Sequence, residues 1–157
     1  MDQLYWKPNW EESTVDEFAE VVQEVTRGDE WVLDGNYHSK TQQIKWSRAE
    51  AVIWLDMPRW RTFQQITQRS IARILSRKEV WPNTGNVETF RRTFLSHESV
   101  LLWSLTSYSR LRRRYESCMR DPQWQTVQFV RLSSRTAVAN FLRDVAVENR
   151  PAECQKS

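Results

Sequence analysis

Two carboxylates stand at positions where α/β proteins do chemistry. Asp34 closes the apolar run Trp31-Val32-Leu33 and leads into Gly35-Asn36-Tyr37, and Asp56 closes Ala51-Val52-Ile53-Trp54-Leu55 and leads into Met57-Pro58. In an open parallel sheet, ligands bind in the crevice beyond the carboxyl ends of the strands, so an acid at each of these ends is a candidate ligand-binding group. Each has a plainer reading as well: Asp-Gly is a common turn dipeptide, and an acid just before Pro58 can cap a helix. A second set is Arg69, Arg73 and Arg77, which recur every four residues and so share one helix face. A solvated face is their bland alternative, and it is the primary reading of the denser run Arg110, Arg112, Arg113 and Arg114. His38 and His97 have no nucleophile or ligand partner at an informative spacing, and Cys118 and Cys154 show no C-x-x-C or His/Cys pattern. A nucleophile triad, a zinc site and a disulfide framework are therefore without support.

The elements that must position these groups follow from periodicity and punctuation. Thr14 with Glu17 forms a capping box that starts a helix whose stripe is Val15, Phe18, Val21, Val22 and Val25 and whose stop is Gly28. A strand over 31–33 follows, then a polar helical turn around 41–46 and a strand over 51–55. The 17 residues between these strands suit a crossover rather than a hairpin, which favours a parallel pair. Pro58 fits the first turn of a helix to about Ser76, with Asp56 as its cap. Pro82, Asn83 and Gly85 make 79–86 a mobile loop, and a pair of helices or one bent helix covers 87–120, with Trp103 on its apolar face. A third strand over 127–132 precedes a last helix capped by Ser134. The three strands are expected to be mutually parallel, with Asp34 and Asp56 at the same edge.

Length and composition set the frame. At 157 residues, 39% hydrophobic and 27% charged, the chain suits one domain over 1–147 with a disordered tail at 148–157. The 23 Lys and Arg against 20 Asp and Glu give a net charge of +3, an excess that suits phosphate-bearing ligands without implying a nucleic-acid binder. No apolar run approaches the roughly 20 residues that span a bilayer and no signal-peptide pattern opens the chain, so a soluble, cytoplasmic protein without a membrane partner is expected. Nine Trp are scattered without a period; Trp6 and Trp10, beside Pro8 and Asn9, lie in a loop that lines a ligand site or lids the core.

The order of these segments resembles a family of small bacterial P-loop proteins, adenylate-kinase-like and related to DNA topology modulation. The resemblance spans roughly residues 1–145. It rests on Asp2-Gln3-Leu4-Tyr5-Trp6 with Trp10, on Trp31-Val32-Leu33-Asp34-Gly35-Asn36-Tyr37, on Val52-Ile53-Trp54-Leu55-Asp56 with Pro58-Arg59, on the Arg69/Arg73/Arg77 series, and on Gly85-Asn86-Val87-Glu88 and Leu101-Leu102-Trp103. It implies a nucleotide-kinase-like α/β fold, a parallel sheet flanked by helices, and an ATP- and Mg²⁺-dependent kinase acting on a nucleotide or another small phosphate acceptor. On this resemblance Asp34 is the acid that holds the waters around Mg²⁺, Arg69 and Arg73 clamp phosphate oxygens during transfer with Arg77 beside them, and Asp2, Tyr5, Trp6, Asn36 and Tyr37 meet the acceptor.

One part of the pattern is missing. The glycines are Gly28, Gly35 and Gly85, and none is followed by Lys and Ser/Thr, so these residues contain no G-x-x-x-x-G-K-[ST] loop. Family members open with a strand–loop–helix unit of roughly thirty residues ahead of the acid matching Asp2. The expectation is therefore a remnant or N-terminally truncated form of such a kinase, inactive and without tight ATP binding as it stands. In the family's topology the absent strand lies between those ending at Asp34 and Asp56, so an apolar groove is expected there. The rival expectation is a nucleic-acid-binding or regulatory protein that uses the Arg-rich helix.

Overall fold

The computed structural model describes residues 1–96 and 99–148, except for the side chains of 38–40 and 148. The tail expected beyond Glu148 and His97 lie outside the described residues. Among the described residues six α-helices run in chain order as α1 (Asp2–Tyr5), α2 (Val15–Val25), α3 (His38–Trp46), α4 (Arg59–Ser76), α5 (Val100–Cys118) and α6 (Arg135–Glu148). Two strands, β1 (Ala51–Leu55) and β2 (Gln128–Leu132), pair in parallel, with Ala51 opposite Gln128 and Leu55 opposite Leu132. Helices α4 and α5 lie in the long connection between them, as a parallel pair requires.

Local signals act where they were expected at several points. The Thr14 hydroxyl accepts from the Glu17 N–H at 3.2 Å while the Glu17 carboxylate accepts from the Thr14 N–H at 2.8 Å, and Ser134 accepts from Ala137 N–H at 3.0 Å to open α6. The end of α2 differs. Thr26 takes the C-cap position, wholly buried, and its hydroxyl donates back to the Val22 carbonyl at 2.7 Å. The helix thus stops before Gly28, which does not adopt the left-handed conformation expected of a glycine C-cap. Of the expected stripe only Phe18 and Val22 are buried; Val15, Val21 and Val25 are exposed.

Two apolar clusters hold the chain. In the first, Tyr5, Phe18 and Val22 gather Leu33, Tyr37 and Ile44; in the second, Trp46, Trp124 and Val127 gather Val52, Tyr115 and Phe129. Trp54 of β1 stacks on Tyr115 of α5, with ring centroids 5.2 Å apart and planes at 10°, so α5 covers one face of β1. The loop expected to be mobile over 79–86 is instead pinned. Asn86 is wholly buried, its side chain accepts from Trp10 N–H at 2.8 Å and donates to the Lys7 carbonyl at 2.9 Å, and its own carbonyl accepts from Val80 N–H at 2.7 Å. Asn86→Ala should therefore cost about 2–3 kcal/mol in a denaturant titration, since it strands two backbone groups the amide now satisfies. A change below about 0.5 kcal/mol would mean that water replaces the amide without loss.

The expected strand over 31–33 is a correction: among the described residues it has no ladder partner, and Val32 is 94% exposed. The reason lies beside β1. Gln128 N–H donates to the Glu50 carbonyl at 2.8 Å and Asp56 N–H to the Leu132 carbonyl at 2.9 Å, so the even-numbered residues of this stretch face β2. Backbone groups alternate sides along a parallel ladder, so those of Ala51, Ile53 and Leu55 point the other way, into an open groove of about 1080 Å³ whose far wall is the 31–36 segment. The side chains of Ile53 and Leu55 are also exposed, at 49% and 58%. Among the described residues nothing pairs with this edge of β1 or covers this face, unusual for a parallel strand. The expected groove between the two acid-bearing segments is present.

Candidate functional site

Asp34 and Asp56 both line this groove, and their surroundings separate them. Asp56 is 8% exposed, and its Oδ2 accepts from Arg131 Nε at 2.9 Å and from Arg131 Nη2, with Arg112 Nη2 at 3.6 Å. Glu116 joins the network at 3.4 Å from Arg112 and 3.6 Å from Arg131. Asp56 does not cap α4: Pro58 holds the N-cap position and no side chain bonds that end. Nor is Arg112 a member of a merely solvated face, since Asp56 beside it raises the pKa of its guanidinium further. A buried carboxylate tied to two guanidinium groups is a structural knot between β1, β2 and α5.

Asp34 is in the opposite state. It is exposed, its backbone carbonyl accepts from the Met1 ammonium at 2.9 Å, and among the described residues no donor engages its carboxylate. The next residue explains the shape of the turn. Gly35 has φ 142° and a side-chain carbon there would lie 2.8 Å from Cβ of Met1, so only glycine fits. Asn36 lines the same groove and accepts from the Tyr115 hydroxyl at 3.4 Å; burial raises that phenol's pKa to about 12, so Tyr115 keeps its proton.

The remaining predicted residues lie outside the groove lining. Asp2 accepts from the Tyr37 hydroxyl at 2.9 Å, and the Tyr37 ring packs between Tyr5 and Phe18, where burial raises its pKa above the ordinary range. Tyr5 is buried and its hydroxyl donates to the Glu12 carboxylate. Trp6 and Trp10 belong to an aromatic group with Trp81, and the Arg92 guanidinium lies 4.3 Å from the Trp10 centroid and 5.7 Å from that of Trp6. On α4, Arg69 is exposed, Arg73 pairs with Glu88 at 2.9 Å, and Arg77 is the left-handed residue (φ 50°) that ends the helix. The structure thus brings Asp34, Asn36 and Asp56 to one groove and leaves the arginine series, Asp2, Tyr5, Trp6 and Tyr37 elsewhere.

The groove also holds a residue that the sequence reading passed over. Lys45 of α3 is 6% exposed, and desolvation lowers its pKa from 10.5 to about 8. Its position was legible in principle: it lies four residues after Thr41 and one before Trp46, both buried, so it falls on the inward side of α3. A lysine with a depressed folded pKa binds fewer protons folded than unfolded between pH 8 and 10.5, so stability should rise with pH across that window. Below pH 8 the full cost of the buried ammonium is present. Lys45→Met should consequently stabilise the fold at neutral pH, and its advantage should shrink by about 3 kcal/mol as pH approaches 10.5. Denaturant titrations of both proteins across that range check this; a constant difference would show that the amine stays solvated.

Among the described residues no three His, Cys, Asp or Glu side chains gather to hold a metal ion, and no helix is long and apolar enough to cross a membrane. Compared with protein-family models, with curated proteins and with solved structures, the chain matches none.

Proposed function

We propose that this chain carries the acceptor side and the metal-orienting acid of an ATP-dependent phosphotransferase of the nucleotide-kinase kind. Transfer requires a phosphate-cradling strand–loop–helix segment in addition to these 157 residues, which contain no such loop. The observation that carries this reading is the open groove beside the edge of β1 that has no ladder partner among the described residues, with the Asp34 carboxylate, which no described donor engages, on its wall. A strand entering there would meet the N–H and C=O groups of Ala51, Ile53 and Leu55, which have no ladder partner among the described residues, and its carboxyl end would lie near Asp34 and Asp56, where ligands of parallel sheets bind.

The residues present fit only part of the ATP–magnesium complex. Asp34, exposed and without a donor among the described residues, suits a carboxylate that would hold water around Mg²⁺, whereas these residues contain no G-x-x-x-x-G-K-[ST] loop to cradle the phosphate oxygens. Bound Mg²⁺ would neutralise charge on the phosphates during transfer. On this reading Asp34 would orient the metal's water shell with Asn36 beside it in the groove, Asp2, Tyr5, Trp6 and Tyr37 would form the acceptor side, and Arg69, Arg73 and Arg77 would serve a lid that must close for the guanidinium groups to reach phosphate. Calorimetry with Mg-ATP tests this: the chain alone should give no tight binding, and the same chain with a G-x-x-x-x-G-K-[ST] strand–loop–helix segment joined ahead of Met1 should bind. Micromolar affinity in the unextended chain, or none in the extended one, would overturn the reading.

A second reading, nucleic-acid binding through α5, draws on the exposed Arg110 and Arg113. It is weakened by the engagement of Arg112 with Asp56 and of Arg114 with Gln42 at 3.4 Å. A steep loss of affinity for single- or double-stranded DNA with rising salt would favour it.

A further inference from the structure

We infer that Lys45 is an oxyanion-binding residue, and that the groove beside β1 takes a phosphate group on its ammonium. The geometry of the groove charges supports this. Arg112 is taken by Asp56 and Glu116, and Arg48 donates to the Thr26 carbonyl at 2.9 Å and the Arg27 carbonyl at 3.1 Å. Among the described residues lining the groove, Lys45 is the cation without an oxygen acceptor. Its Nζ meets the thioether sulfur of Met1 at 3.6 Å, a weak acceptor for an ammonium with three protons to place.

A buried ammonium left without an anion is costly, and a side chain 6% exposed cannot recover that cost from solvent. An oxyanion at the sulfur's position supplies the missing acceptors. Phosphate suits the site because it offers several oxygens to the donors of one ammonium in charge-assisted hydrogen bonds. The acidic groups of the groove do not forbid it. Asp56 is neutralised by Arg131 and Arg112, while Asp29, Asp34 and Glu50 are exposed, so water screens them. The inference concerns the 157 residues as they stand and needs neither nucleotide nor magnesium, so its failure and that of the phosphotransfer reading are distinguishable.

Inorganic phosphate is the probe. It should raise the melting temperature of the unsubstituted chain above that in sodium chloride of equal ionic strength, Lys45→Met should abolish the difference, and Lys45→Arg should retain part of it. Lys45→Met removes a buried charge and is expected to fold. An equal increment in the parent and Lys45→Met, or none in the parent, would overturn the inference. A second measurement uses the parent alone: trace acetylation read by mass spectrometry, with exposed Lys78 as internal reference. Phosphate should slow labelling of Lys45 relative to Lys78 by about tenfold, the effect of raising the amine pKa by about one unit. An unchanged labelling ratio would overturn it as well.

Discussion

In a chain completed with a phosphate-cradling segment, Asp34→Asn should lower turnover by about a hundredfold or more while leaving the denaturation midpoint almost unmoved. The asymmetry comes from the geometry. No donor among the described residues engages the Asp34 carboxylate, so asparagine removes no internal side-chain contact. The Gly35 turn keeps its shape for the same reason. What the substitution does remove is the charge that orients water around the metal, worth on the order of 2–4 kcal/mol where charge builds in the transition state. Arg69→Ala should behave similarly, because Arg69 is exposed and can be lost without structural cost. Arg73→Ala should lower both turnover and stability, since it deprives the largely buried Glu88 of its partner. The control is Arg113→Ala, an exposed position on α5 expected to be silent in both measurements. Equal small effects at Asp34, Arg69 and Arg113 would place the chemistry elsewhere.

What could be read from the sequence was local. The Thr14–Glu17 capping box, Ser134 before α6, and the positions of β1 and β2 follow from capping chemistry and hydrophobic period, each decided by residues close in the chain. The groove was expected on another ground: the family resemblance implies a further strand between the segments ending at Asp34 and Asp56. What escaped was decided across long separations. Asp56 meets Arg131 75 positions away, and Asn86 meets Lys7 79 positions away. Neither pairing leaves a periodic trace, so Asp56 read as a helix cap, Arg112 as solvent-facing and 79–86 as mobile. The 31–33 segment failed as a strand because propensity describes a chain's readiness to pair, whereas a ladder requires a neighbour. Lys45 was hidden by its type, since a lysine in a polar helical stretch is ordinarily exposed.

Asp56→Ala should be the most destabilising single change among the groove acids, at about 3 kcal/mol in a denaturant titration. Its carboxylate side chain is 5% exposed and receives Arg131 and Arg112, whose side chains are 36% and 45% exposed. Deleting the acid leaves two guanidinium groups facing each other with only Glu116 between them, and Arg131 still lies 4.6 Å from the Trp54 centroid, held against the ring. Because the arginines keep partial contact with water, the loss should fall at the lower end of what breaking a buried pair costs. Asp56→Asn, which retains an acceptor oxygen, should cost less than alanine. Combining Asp56→Ala with Arg131→Met should recover part of the loss, since the stranded charge is then gone and the methionine can still pack on Trp54. If the double substitution is instead strictly additive, the coupling between β1 and β2 at this point comes from the ladder hydrogen bond of Asp56 N–H to the Leu132 carbonyl, and the ion pair contributes nothing to it.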